Sequence, residues 1–251
     1  MGSTVCRAVA DDPELELVAA VDPEHAGIDL DHLGLRGTGL QMAAKPDAME
    51  QARVEVAVDF TVVDAARDNL HWCAAHDVHA VVGTTGFTPD DLASLGTAFA
   101  DGPAHAVIAP NFAIGAVLMM RFAELAAPYF ETAEIIELHH DEKADAPSGT
   151  AMLTAGRMAA ASSDWTPDPT SKVVVEGARG GEGPAGIRVH SVRLRGLVAH
   201  QEVLLGTTGQ TLSIRHDSFD RTSFMPGVLL AVRAVRDRPG LTVGLDALLG
   251  L

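Results

Sequence analysis

Two cysteines, Cys6 and Cys73, are too few to brace a fold through disulfides, so they read as ordinary buried thiols. The chain also lacks the apolar run of about eighteen residues that a membrane-spanning helix needs. Its longest near-apolar stretch, FAIGAVLMM at residues 112–120, is about half that length. No basic segment followed by an apolar one stands at the start, so no secretory signal is visible. Basic residues are scarce: 18 Lys and Arg face 34 Asp and Glu, a net charge of −16 that argues against a nucleic-acid partner. A soluble, cytoplasmic chain is expected, with no membrane contact. At 251 residues and 47% hydrophobic it is large enough for one sizeable core or two smaller ones.

The charge is unevenly spread. Residues 1–111 hold 5 basic and 18 acidic side chains, whereas residues 112–221 hold 10 and 14. The cations gather in the second half as Lys143, Lys172, Arg179, Arg188, Arg193, Arg195 and Arg215. Two readings fit them: a solvated surface, or a pocket for an anionic small molecule.

The first part alternates short apolar strands with amphipathic helices. LELVAAVD (15–22), VEVAVDFT (54–61), VHAVVGTTGF (78–87) and AHAVIAPNF (104–112) are strand-like, and a helical pattern runs from Asp64 to Ala75. Thr88, Pro89, Asp90 and Asp91 read as an N-cap, a first-turn proline and first-turn acids. Continuous apolar strands between helices predict a doubly wound parallel sheet covered on both faces. The character changes after a helix that begins near Ala113. AEIIELHHD is strand-like, Ser148 caps a helix running to about Ala161, and residues 162–171 form a loop. KVVVEG, GIRVHSVRLRG, LVAHQEVLLG and QTLSIRHDS then follow as strands, predicting a second α+β domain with a mixed or antiparallel sheet. A last helix over 223–237 is expected to return to the first domain. The predicted domains are 1–112 plus 222–251, and 113–221.

Several short motifs carry chemistry. Gly2 opens a helix, and Asp22 ends a strand twenty residues later. A glycine at a helix start and an acid at that spacing form the back half of a dinucleotide fingerprint, although a turn aspartate before proline has the same look. GTTG (83–86) and APNF (109–112) follow predicted parallel strands, at the edge where open α/β sheets bind ligands, and ordinary turn chemistry explains them equally well. ELHHDEKADAPSGTA (137–151) is harder to explain structurally. In a regular strand His139 and His140 point to opposite faces, which favours one functional imidazole over a matched pair, whereas a strand that ends there lets both face one cavity. Lys143 follows three positions on, and PSGT ends in a helix N-terminus suited to a carboxylate. Zinc, with Asp141 or His190 as further ligands, is the competing reading, but there is no HExxH pattern. An acid, a cation and a carboxylate cradle together suggest protonation chemistry on an anionic substrate.

Taken with DFT, GTTGF and APNF, the stretch ELHHDEKADAPSGTA resembles the 4-hydroxy-tetrahydrodipicolinate reductase (dihydrodipicolinate reductase) family, and the likeness runs from Gly2 to the C-terminal helix. The resemblance implies an oxidoreductase of the diaminopimelate route to lysine, dependent on NADH, NADPH or both. It implies a Rossmann-type domain, a substrate domain whose sheet builds a homotetramer, and a cleft between the two. Gly2 then matches the last glycine of the phosphate loop, and Asp22 the acid at the adenosine ribose. Gly83, Thr84, Thr85, Ala109, Pro110, Asn111 and Phe112 match the turns that hold the nicotinamide half. His139 matches a proton donor or acceptor, His140 a contact of the small dicarboxylate substrate, and Lys143 the proton donor. Gly149 and Thr150 match the turn that takes a substrate carboxylate. No metal is implied.

One departure from the family is plain. Its phosphate loop has further glycines preceded by a whole strand, and this sequence starts after them. The expectation is that Met1 is internal to a longer protein or that the chain is truncated, so that the first Rossmann strand is missing. The alternative reading is therefore a catalytically inert chain that binds a small acid or a partner. Asp22 followed by Pro23 and Glu24 offers no cation for a 2′-phosphate, which leans toward NADH.

Overall fold

The computed structural model describes residues 1–251. In chain order the elements are α1 (Gly2–Ala10), α2 (Asp47–Gln51), β1 (Val56–Asp59), α3 (Val63–Ala75), β2 (His79–Val82), α4 (Pro89–Ala98), β3 (Ala106–Ile108), α5 (Ile114–Ala126), β4 (Thr132–His139), α6 (Gly149–Ala161), β5 (Gly181–Glu182), β6 (Arg188–Arg193), β7 (Ala199–Thr207), β8 (Gln210–Ser218), α7 (Met225–Ala234), β9 (Leu241–Val243) and α8 (Asp246–Leu249). They fall into two compact units: residues Met1–Phe112 with Phe224–Leu251, and Ala113–Ser223.

The first unit holds a sheet in the order β1-β2-β3-β9, parallel throughout. β2 and β3 are almost wholly buried, as expected of parallel strands covered on both faces. Leu95 and Phe99 of α4 and Ala66, Leu70 and Cys73 of α3 form the core against them. The start of α4 is fixed by a reciprocal cap: the Thr88 hydroxyl accepts from the Asp91 amide at 3.1 Å, and the Asp91 carboxylate accepts from the Thr88 amide at 2.9 Å. Two imidazoles align the strand starts. The His105 amide donates to His79 Nδ1 at 3.0 Å, and the Gly240 amide donates to His105 Nδ1 at 3.2 Å. α7 comes close to the turn after β3 because Gly227 has no side chain. A Cβ there would lie 2.1 Å from the Phe112 carbonyl oxygen.

The second unit is a five-stranded mixed sheet in the order β5-β6-β4-β7-β8, in which only β4 and β6 run parallel. A parallel pair needs a crossover, and α6 lies in the connection between these two strands. α6 packs on β4, and α5 packs on α6 and β8. Residues Ile135 and Glu137 of β4 face the buried side, so a carboxylate occupies a core position.

Two predicted strands do not form. Residues 15–22 make only an isolated bridge, Val21 with Ala43, and β1 closes that edge of the sheet by pairing with β2 alone. An extended run without a hydrogen-bonding neighbour cannot become a strand. Residues 172–177 likewise form no ladder, and Val173, Val174 and Val175 are 60%, 83% and 65% exposed. The edge of the sheet beside β6 is taken by Gly181 and Glu182. Conversely, β9 is too short for its three residues to stand out by periodicity.

Candidate active site

β4 ends at His139, and the side chains around that end share one network. Glu137 and His139 are two apart, so they stand on the same face of the sheet. Across the parallel pair, Glu137 is in register with Ser191 and His139 with Arg193. The Glu137 side chain is fully buried. Its two oxygens accept from both terminal nitrogens of Arg193, at 2.9 and 2.8 Å. His139 Nδ1 lies 2.5 Å from Oε2, and the Ser148 amide donates to Oε1 at 3.2 Å. A buried carboxylate is tolerable only with such partners. Burial works against its charge, but Arg193, Ser191 and His139 outweigh burial and hold its pKa below the ordinary carboxylate value.

His139 is shifted as well. Burial pushes the imidazole below its usual pKa, the nearby Lys143 and Arg193 cations push the same way, and the bond to Glu137 opposes them. Lys143 is partly exposed, and its amine donates to Asp145 Oδ1 at 2.6 Å. Arg193 also donates to the Asp145 carbonyl at 2.6 Å, so the loop that carries Lys143 is tied to the same guanidinium. Gly149 opens α6, and Ser148 caps it by accepting from the Ala151 amide at 3.2 Å. Thr154 bonds back to the Thr150 carbonyl and accepts from Gln201, whose position in β7 is opposite Glu137.

Of the residues expected at the substrate, His139, Lys143 and the α6 start at Gly149 and Thr150 surround the end of β4. His140 is exposed just beyond it. The zinc alternative loses its proposed ligands to other partners: His190 pairs with Glu134, and Asp141 with Arg195. The cations of this half do not converge on one anion pocket. Arg179 and Arg188 pair with Asp168, Arg215 with Glu202 and Asp217, and Arg195 with Asp141. Arg188 and Arg215 stand on different strands and Arg179 and Arg195 lie off the strands, and each is neutralised by a carboxylate within its reach. Sequence reasoning missed Glu137 as a site residue. Its place two residues before His139 in a strand was the available signal.

In the first unit, three turns follow adjacent strand ends. Asp59 closes β1 and accepts from the Thr61 amide at 2.7 Å and from Asn69 at 2.7 Å. The Thr84 hydroxyl, beyond β2, donates to the Thr61 carbonyl at 3.0 Å and joins those two turns. Gly83 allows Phe60 to pack there, since a Cβ would lie 2.1 Å from that ring. The Ala109 amide donates to the Val82 carbonyl at 3.0 Å, which places APNF beside GTTG. Ala109 and Phe112 are buried, Pro110 is exposed, and the Phe112 ring packs against Phe60 at 5.8 Å. These turns lie together at the carboxyl edge of the parallel sheet, the edge at which open α/β sheets bind ligands. Gly2 begins α1. Asp22 caps a short turn, accepting from the Glu24 amide at 2.9 Å and pairing with His25 at 2.9 Å.

Two family models account for nearly all of the sequence. "Dihydrodipicolinate reductase, N-terminus" matches residues 1–112, and "Dihydrodipicolinate reductase, C-terminus" matches residues 115–249. The 4-hydroxy-tetrahydrodipicolinate reductase of Cutibacterium acnes is 52% identical over 100% of this chain and 95% of its own. The reductase of the same name from Mycobacterium sp. strain KMS is 56% identical over 85% of this chain and 88% of its own. Among solved structures, a dipicolinate-bound dihydrodipicolinate reductase from Paenisporosarcina sp. TG-14 superposes with a TM-score of 0.85 at 39% identity, covering 98% of this chain and 94% of its own. An amine dehydrogenase from Mycobacterium smegmatis, at 15% identity and a TM-score of 0.65, shares the fold.

Proposed function

This chain belongs to the dihydrodipicolinate reductase family, and on that footing we propose that it reduces 4-hydroxy-tetrahydrodipicolinate to tetrahydrodipicolinate for lysine synthesis. The observation that carries the proposal is the joint placement of His139, Lys143 and the α6 N-terminus at one strand end. In the balanced reaction the ring loses its hydroxyl group and one ring hydrogen as water, and gains a hydride and a proton. When bound, a reduced nicotinamide supplies the hydride.

The remaining steps belong to the protein. Gly149 and Thr150 take a substrate carboxylate at the start of α6, where main-chain amides and the helix dipole favour an anion. His140, on the exposed side of the strand end, contacts the same dicarboxylate. Negative charge that develops on the ring is quenched by a proton from Lys143 Nζ. For the coenzyme we assign Gly83, Thr84, Thr85, Ala109, Pro110, Asn111 and Phe112 to the nicotinamide half, Asp22 to the ribose and Gly2 to the pyrophosphate. Burial resists ionisation of Asp22, but His25 and the Glu24 amide overcome it and hold the carboxyl below its ordinary pKa. A carboxylate there repels a 2′-phosphate, so NADH is the preferred coenzyme.

The first unit accordingly serves the dinucleotide, and the second serves the substrate and oligomerisation. A homotetramer built on the second unit's sheet is part of the same reading. Ile136, Leu138 and Leu204 stand on the sheet face opposite Glu137, where a second copy can cover them. No helix is long and apolar enough to cross a membrane. As part of the same proposal, a biosynthetic reduction of this kind belongs in the cytoplasm. Purified chain given enzymatically generated substrate and NADH is expected to oxidise the coenzyme in proportion to substrate. No oxidation with either NADH or NADPH would reduce the chain to an inert binder of small acids.

A further inference from the structure

We propose that Glu137 is a positioning residue for this reduction: it holds His139 with Nδ1–H toward its carboxylate, so that Nε2 presents a lone pair, and Arg193 keeps the carboxylate in place. The proposal deepens the reading of His139 as part of the active site and rests on it.

The geometry assigns the tautomer. An ionised carboxylate has no proton to give, so the hydrogen in the 2.5 Å contact between Glu137 Oε2 and His139 Nδ1 belongs to the ring. Glu137 is kept ionised by Arg193, which meets it with both terminal nitrogens. In a neutral ring the other nitrogen, Nε2, must then be the acceptor. His139 receives a hydrogen bond or a proton, and the acid is the ammonium of Lys143. The same carboxylate accepts the Ser148 amide at the α6 cap, and Arg193 reaches the Asp145 carbonyl in the Lys143 loop. One ion pair, its carboxylate buried and its guanidinium partly so, therefore registers the imidazole, the ammonium loop and the carboxylate-binding helix start against one another.

Glu137→Gln tests this. Glutamine keeps the shape and one acceptor, but it offers His139 Nδ1 an N–H and so favours the opposite tautomer. The expected result is a kcat lowered by about 100-fold, on the scale of acid-base groups. The substrate KM should stay within about threefold, because the lost interaction is not one of ground-state binding. The charged groups facing His139 are Glu137 on β4, Arg193 on β6, and Lys143 with its partner Asp145 in the following loop. Without the Glu137 charge, the acidic limb of the kcat–pH profile should move to lower pH. Glu137→Asp, which restores the carboxylate, should recover part of the rate. A Glu137→Gln enzyme with unchanged kcat and unchanged limb overturns the proposal while leaving the reductase reading intact. An inactive parent chain defeats that reading first. If the glutamine variant fails to fold, 15N spectra of the parent decide: Nδ1 protonated and Nε2 bare supports the proposal, and the reverse overturns it.

Discussion

Replacing Lys143 with alanine is expected to lower turnover by roughly 100-fold or more, on the scale of a lost proton donor. The side chain is partly exposed and its partner Asp145 is more so, so the ion pair itself contributes only about 0–1 kcal/mol to stability. The variant should therefore melt near the parent protein and lose rate, not fold. Lys143→Arg is no substitute, because a guanidinium gives up a proton far less readily than an ammonium. Coenzyme oxidation under saturating substrate measures the effect. Turnover within a few-fold of the parent would remove Lys143 from the donor role.

Arg193→Met should have the largest effect on stability. It strips a fully buried carboxylate of both guanidinium bonds, and breaking such a pair from one side costs about 3–5 kcal/mol. The pH dependence should change sign with it. In the parent the Glu137 pKa is depressed, so its stabilisation is present above the unfolded value of about 4.3 and is lost as pH falls through the folded value. In the variant the guanidinium is gone while burial, the largest single cause, stays, so the pKa is expected to rise above that reference. Stability is then retained at low pH and lost as pH rises through the new folded value. Urea melts across the acid range should show the gap between the two proteins widest near neutrality and narrowing below about pH 4.3. A gap that stays constant with pH would mean that Glu137 is not the charge Arg193 supports.

Much of this architecture was legible in the residues, for identifiable reasons. The Thr88–Asp91 box announces α4 because capping chemistry is local. The runs in β2 and β3 read correctly because buried parallel strands are continuously apolar. LELVAAVD and KVVVEG misled for the opposite reason. Strand propensity says what a segment would tolerate, and only the sheet decides whether a neighbour is free to pair with it. The site divides in the same way. His139, Lys143 and the Ser148 cap lie within one short segment and were readable together. Glu137 was readable as an alternating position, but its partner Arg193 arrives 56 residues later on another strand. That pairing is fixed by the β4–β6 register, which no local pattern encodes.

On the proposed reading, the end of β4 takes a cyclic dicarboxylate between the Lys143 ammonium and the start of α6. Crystals of this chain grown with dipicolinate test it most directly. One carboxylate should rest on the main-chain amides of Gly149 and Thr150, with the ring beside Lys143 Nζ and His139 Nε2. Dipicolinate bound elsewhere, with those groups untouched, would contradict the account.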